Sequence, residues 1–91
     1  MTADIDHRGV RARITTDHEA AVQGVPVLII GGIGHGTADP MVCGGRTMTA
    51  REFVREWLLG QVRAHNTRLA LGQAFLDAPG GRVPGRTGVK Y

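Results

Sequence analysis

The chain has 91 residues, 42% of them apolar, and a formal net charge of +3. That length holds one domain rather than two, and no apolar run approaches the ~20 residues that span a bilayer. A single cysteine, Cys43, excludes an internal disulfide, and the complete lack of serine excludes every serine nucleophile.

Met1 to His7 is polar and acidic, without the charged start and apolar middle of a signal peptide. Residues 1–8 read as a frayed terminus, and with the lone thiol they point to a reducing, cytoplasmic setting. Residues 10–16 then alternate. Val10, Ala12, Ile14 and Thr16 share one side, and Arg11, Arg13 and Thr15 share the other, which is the period of a half-buried strand. Asp17 is placed to cap one helical turn, or residues 17–24 form a long hairpin connection.

Residues 25–30 are rich in β-branched side chains and bounded by Gly24 and by Gly31 and Gly32. This is a strand signature. Val25, Val27 and Ile29 fall on one face, Leu28 and Ile30 on the other, so both faces call for cover. Pro26 has no N–H to give a ladder and belongs at a strand start or edge. Gly31 and Gly32 suit a two-residue hairpin turn, with Ile33 opening a short return strand. Residues 34–45 read as an irregular Gly-rich loop with a turn at Asp39 and Pro40.

Thr49 and Glu52 form the T-x-x-E pattern of a capping box. After it, Ala50, Phe53, Val54, Trp57, Leu58 and Val62 share one half of a helix, and Glu52, Arg55, Glu56 and Arg63 share the other. The main helix is expected from Thr49 to about His65. Unbroken to Asp77 it would measure ~42 Å, too long for a domain ~30 Å across. A break near 65–67 and a second helix over 66–77 are therefore expected, one continuous helix requiring a second copy to zip against. Ala78, Pro79 and Gly80 end the helical signal.

The excess charge sits at one end. Residues 78–91 carry Arg82, Arg86 and Lys90 with no acid, whereas residues 1–77 hold eight Arg against eight Asp and Glu. The expected organisation is an α+β domain over 1–77 and a basic Gly/Pro-rich tail over 78–91. In the domain, two or three antiparallel strands pack against one long amphipathic helix and a shorter C-terminal one.

Chemistry-bearing patterns are sparse. The Gly-rich stretch from Ile29 to Thr37 follows a strand, yet Thr37 stands where the dinucleotide fingerprint needs its third Gly or Ala, and no lysine precedes Lys90. His35, Asp39 and Cys43 are spaced four apart, with His18 as a fourth ligand candidate, but Gly36, Pro40 and Gly44 oppose a helix there and no C-x-x-C or H-x-x-x-H pair is present. Cys43 with His35 as base would need a cation or helix N-terminus to lower the thiol pKa; Arg46 and the Thr49 helix are close in sequence. His65 and Trp57 read as core or helix-end residues.

No cofactor is expected. The function read from these residues is a non-enzymatic accessory module that binds another protein of unknown identity and forms a homodimer through the uncovered sheet face or the second helix, with Leu28, Ile30, Leu69 and Leu76 as contacts. One competing reading is a nucleic-acid-binding regulator using Arg82, Arg86 and Lys90 with the Arg11 and Arg13 strand face. The other is a small metal or thiol enzyme centred on His35, Asp39 and Cys43.

Overall fold

The computed structural model describes residues 1–19, 21, 25–61 and 67–78. It is α+β. Six strands come first: β1 (Thr2–His7), β2 (Val10–Thr15), β3 (Val27–Ile30), β4 (Ile33–His35), β5 (Pro40–Cys43) and β6 (Arg46–Thr49). Two helices follow, α1 (Ala50–Leu59) and α2 (Thr67–Asp77). β1 to β4 form a four-stranded antiparallel sheet in sequential order, and β5 and β6 form a separate hairpin.

The sheet is larger than the two or three strands expected. The first eight residues are not frayed: all of β1 pairs with β2, from Thr2↔Thr15 to His7↔Val10. Ala3 and Ile5 face inward and Thr2, Asp4 and Asp6 outward, so the period-2 pattern was present but carried by aspartates, which are poor strand formers. Residues 34–45 are not irregular either, because they hold most of β4, all of β5 and the turn into β6.

Three of the strand connections share one solution. Arg8 and Gly9 join β1 to β2, Gly31 and Gly32 join β3 to β4, and Gly44 and Gly45 join β5 to β6, all six with φ between 53° and 81°. Positive φ at both central residues is the signature of the type I′ turn, whose twist matches that of paired strands. Arg8 (φ 53°) is the one described non-glycine residue in this region.

Alternation then sorts the sheet into two faces. Ala3, Ile5, Ala12, Ile14 and Leu28 enter one core with Met41, Cys43 and Met48 of the hairpin, Phe53, Val54 and Trp57 of α1, and Leu69, Leu71 and Phe75 of α2. Pro26 sits just before β3, outside its ladder, as its missing N–H requires.

The capping box forms as expected. Glu52 N–H donates to Thr49 Oγ1 at 3.2 Å, and Thr49 N–H donates to Glu52 Oε1 at 2.9 Å. Ala50 N–H donates to the Asp39 carbonyl at 2.9 Å and Arg51 N–H to the Thr37 carbonyl at 3.0 Å. The first three orphan donors of α1 are thus all engaged. The helix ends at Leu59 with Gly60 as its cap, short of His65; residues 62–66 lie outside the described ones. α2 begins at Thr67, close to the expected start, and the two helices are of similar length, ten and eleven residues, rather than one long and one short.

The helices run antiparallel. Arg51 Nη2 donates to the Leu76 carbonyl at 3.1 Å, while near the other ends Arg68 lies 5.9 Å from the centre of the Trp57 ring. They approach closely at Gly72, where an added Cβ would stand 2.8 Å from the Trp57 ring.

Candidate functional site

The second face of the sheet is built from the other half of each alternation. β1 contributes Thr2, Asp4 and Asp6, β2 contributes Arg11, Arg13 and Thr15, and β3 contributes Val27 and Ile29. The register sets these in rows: Asp4 beside Arg13 beside Ile29, and Asp6 beside Arg11. Val27 is buried and Ile29 half-buried, whereas the Asp and Arg side chains are mostly exposed. Arg13 Nε donates to Asp4 Oδ1 at 2.9 Å, and Arg11 Nε stands 3.9 Å from Asp6 Oδ2. An open depression of about 700 Å³ is lined by Asp4, Ile5 and Asp6, by Arg11, Ala12 and Arg13, and by Ile29, Gly32 and Arg68.

The edge of this face has a definite polarity. Thr16 N–H donates to the Met1 carbonyl at 2.9 Å. Bonded and non-bonded pairs alternate along an antiparallel ladder. Ala3, Ile5 and His7 therefore turn their backbone groups toward β2, and Thr2, Asp4 and Asp6 turn theirs to the free edge. At the opposite edge, Ile33 and His35 pair with Ile30 and Leu28, so Gly34 alone in β4 turns its backbone outward.

This arrangement brings together Arg11 and Arg13, as the nucleic-acid reading required, but adds an aspartate beside each. The cationic face is locally neutral. Arg82, Arg86 and Lys90 lie outside the described residues. Arg68, which sequence reasoning passed over, joins the depression from the start of α2.

Of the self-association contacts, Leu28 has no exposed surface and Leu69 is buried, both in the core; Ile30 and Leu76 are half-buried against it. The apolar sheet face that called for a second copy is covered within one chain by both helices and the β5–β6 hairpin. The stretch expected as a Gly-rich loop supplies the hairpin part of this cover, and the short second helix is part of it too.

His35, Asp39 and Cys43 are all buried, but in separate structural roles. His35 Nδ1 lies 3.0 Å from the Ile33 carbonyl. Asp39 Oδ2 accepts the Gly36 N–H at 2.8 Å, shaping the loop whose carbonyls receive α1. Cys43 packs in the core beside the hairpin methionines. Among the described residues, no three His, Cys, Asp or Glu side chains form a group able to hold a metal ion. The N-terminus of α1 is likewise occupied by the protein's own loop.

A third cluster joins the β1–β2 turn to α1. His7 Nε2 and Arg8 Nε lie 3.2 and 3.0 Å from Glu56 Oε1, and the His7 ring meets Phe53 edge-on at 5.4 Å. The hydrogen bond from His7, helped by the charges of Arg8, His7 and Arg46, holds the Glu56 carboxyl below its ordinary range. Asp17 is held low as well, by a hydrogen bond from the N-terminal amine and then by that amine's charge. Both are clasps between elements. No described helix is long and apolar enough to cross a membrane.

Compared with protein-family models, curated proteins and solved structures, the chain finds no match.

Proposed function

We propose that the chain is a non-enzymatic protein-interaction module whose working surface is the outer face of the four-stranded sheet, with its β1 edge. One observation carries this reading: one face of the sheet enters the core, while the other presents half-buried Ile29 among paired Asp and Arg side chains around an open depression. A small apolar centre with an arginine-bearing polar rim is the anatomy of a protein interface. A phosphate backbone would instead meet Asp4 and Asp6 beside Arg13 and Arg11. The partner in this reading is another polypeptide rather than a second copy, because the apolar face that favoured a homodimer is already covered. A reducing compartment suits the buried thiol of Cys43.

A photoreactive phenylalanine analogue placed at Ile29, with a control at exposed Arg55 on α1, tests the reading in cells of the source organism. A discrete adduct to one protein from position 29 and none from position 55 is expected. Equal labelling from both positions, or none from either, would refute it. The nucleic-acid reading predicts retention on DNA; if residues 78–91 act alone, three cations give a log–log salt slope no steeper than about −2.7.

A further inference from the structure

The β1 edge differs from the β4 edge at the other side of the sheet. It is six residues long, its register with β2 runs without a bulge, and Thr2, Asp4 and Asp6 each aim an N–H and a C=O outward. The same residues place two carboxylates on the outer face. Asp4 engages Arg13 through Oδ1, and Asp6 has Arg11 only at 3.9 Å. Both therefore keep acceptor capacity toward the open side.

We propose that this edge binds an extended segment of a partner polypeptide by strand addition, and that the segment carries basic residues at alternate positions. The inference rests on the interaction-module reading and names the partner's chemistry. An incoming antiparallel strand hydrogen-bonds directly to Asp4 and Asp6, so the side chains opposite them fall on the outer face, next in the rows that continue to Arg13 and Arg11. Lysine or arginine there extends the alternation of charge across the sheet, and opposite charges directly across a ladder are favourable. The residue between them falls on the inner side beside Ile5 and is apolar or β-branched. This is strand addition in its usual form, with backbone bonds for affinity and alternate side chains for specificity.

The same geometry rejects a second copy. Outward-bonding residues can pair only with outward-bonding residues. The register with the fullest overlap sets Asp4 against Asp4 of the other copy, and the next sets Asp4 against Asp6. Like charges directly opposite are destabilising, and charged edges are a common protection against self-pairing. What repels a copy selects a basic strand.

The test is backbone amide exchange on the full chain with three peptides: one alternating lysine and valine, one of the same composition with its lysines and valines in separate blocks, and one alternating glutamate and valine. In the free protein the Asp4 and Asp6 amides should exchange fast, and those of Ala3, Ile5 and His7 slowly. The alternating basic peptide should slow Asp4 and Asp6 by about tenfold near saturation, and the other two should not. The double variant Asp4→Asn/Asp6→Asn, which keeps shape and loses charge, should weaken binding by about fivefold. Protection by all three peptides alike, by none, or undiminished binding to the double variant would overturn the proposal. If position 29 still cross-links a partner while no peptide protects β1, strand addition fails and the interaction module stands. If both experiments are blank, the module reading fails with it.

Discussion

Leu28 and Ile29 are neighbours in β3 and live in different environments. Leu28 has no exposed surface and belongs to the core that the sheet shares with both helices and the β5–β6 hairpin, and Ile29 lies half-covered beside an ion pair. The contrast holds along the row of Asp4, Arg13 and Ile29, where the inner face is core and the outer face is surface, whereas Thr15 and Val27 on the outer face are buried. One strand therefore serves stability and recognition at once, because its side-chain period is two.

The most severe way to probe this contrast is to truncate both neighbours. Leu28→Ala should cost about 2–5 kcal/mol in urea unfolding, as a buried large-to-small change does. Ile29→Ala should cost less than half of whatever Leu28→Ala costs. Comparable losses would mean that the outer face is packed too. Gly72→Ala addresses how tightly the inner cover is held. Alanine favours a helix by about 0.8–1 kcal/mol over glycine, but the new Cβ meets the Trp57 ring at 2.8 Å, and overpacking costs about 1–3 kcal/mol. A net loss of about 1 kcal/mol is expected, and a more stable variant would show that the helices have room to part.

Thr49→Ala should cost about 1 kcal/mol through the lost cap, an amount read from the denaturation midpoint. On the outer face, a double-mutant cycle on Asp4 and Arg13 should give a coupling of about 0.5 kcal/mol or less, since both side chains are more than half exposed. Coupling several times larger would mark a rigid, preorganised face. The faintest effect is electrostatic. A carboxyl held low in the folded state stabilises above its unfolded pKa and loses that contribution as pH falls through the folded one. For Glu56 the loss begins below its ordinary value of 4.5. Glu56→Gln should flatten the stability profile there.

How much of this was legible depended on which residues carried each pattern. α1 could be read from Thr49, Glu52 and the Phe53, Val54 and Trp57 stripe, because cap and stripe agreed. Gly31 and Gly32 read as a turn because a strongly apolar strand precedes them. The equivalent Gly44 and Gly45 do not, because Met41 and Cys43 are weak strand markers beside Pro40. β1 was hidden by aspartates, whose pairing with Arg11 and Arg13 shows only once the Arg8–Gly9 turn is recognised. The end of α1 at Gly60 was missed because apolar spacing continues to Val62. For the candidate site, Arg11 and Arg13 were visible as an outward pair, but their neutralisation required the β1 register. Gly72 against Trp57 leaves no local trace, since a glycine within a helix reads as a weakness until its neighbour is known.

The three two-residue turns also bear on how the chain reaches this structure. Within the sheet and the hairpin, only the β2–β3 ladder joins strands more than two residues apart. The other ladders can each close on the ~1–10 μs timescale of an isolated hairpin, with little loop entropy to overcome. What remains is the meeting of preformed pieces: the first hairpin must wait for β3 and then for α2, emerging more than fifty residues later. Until then Ala3, Ile5, Ala12 and Ile14 lack the cover that α2 gives β1 and β2. During synthesis these strands are complete well before α2 can cover them.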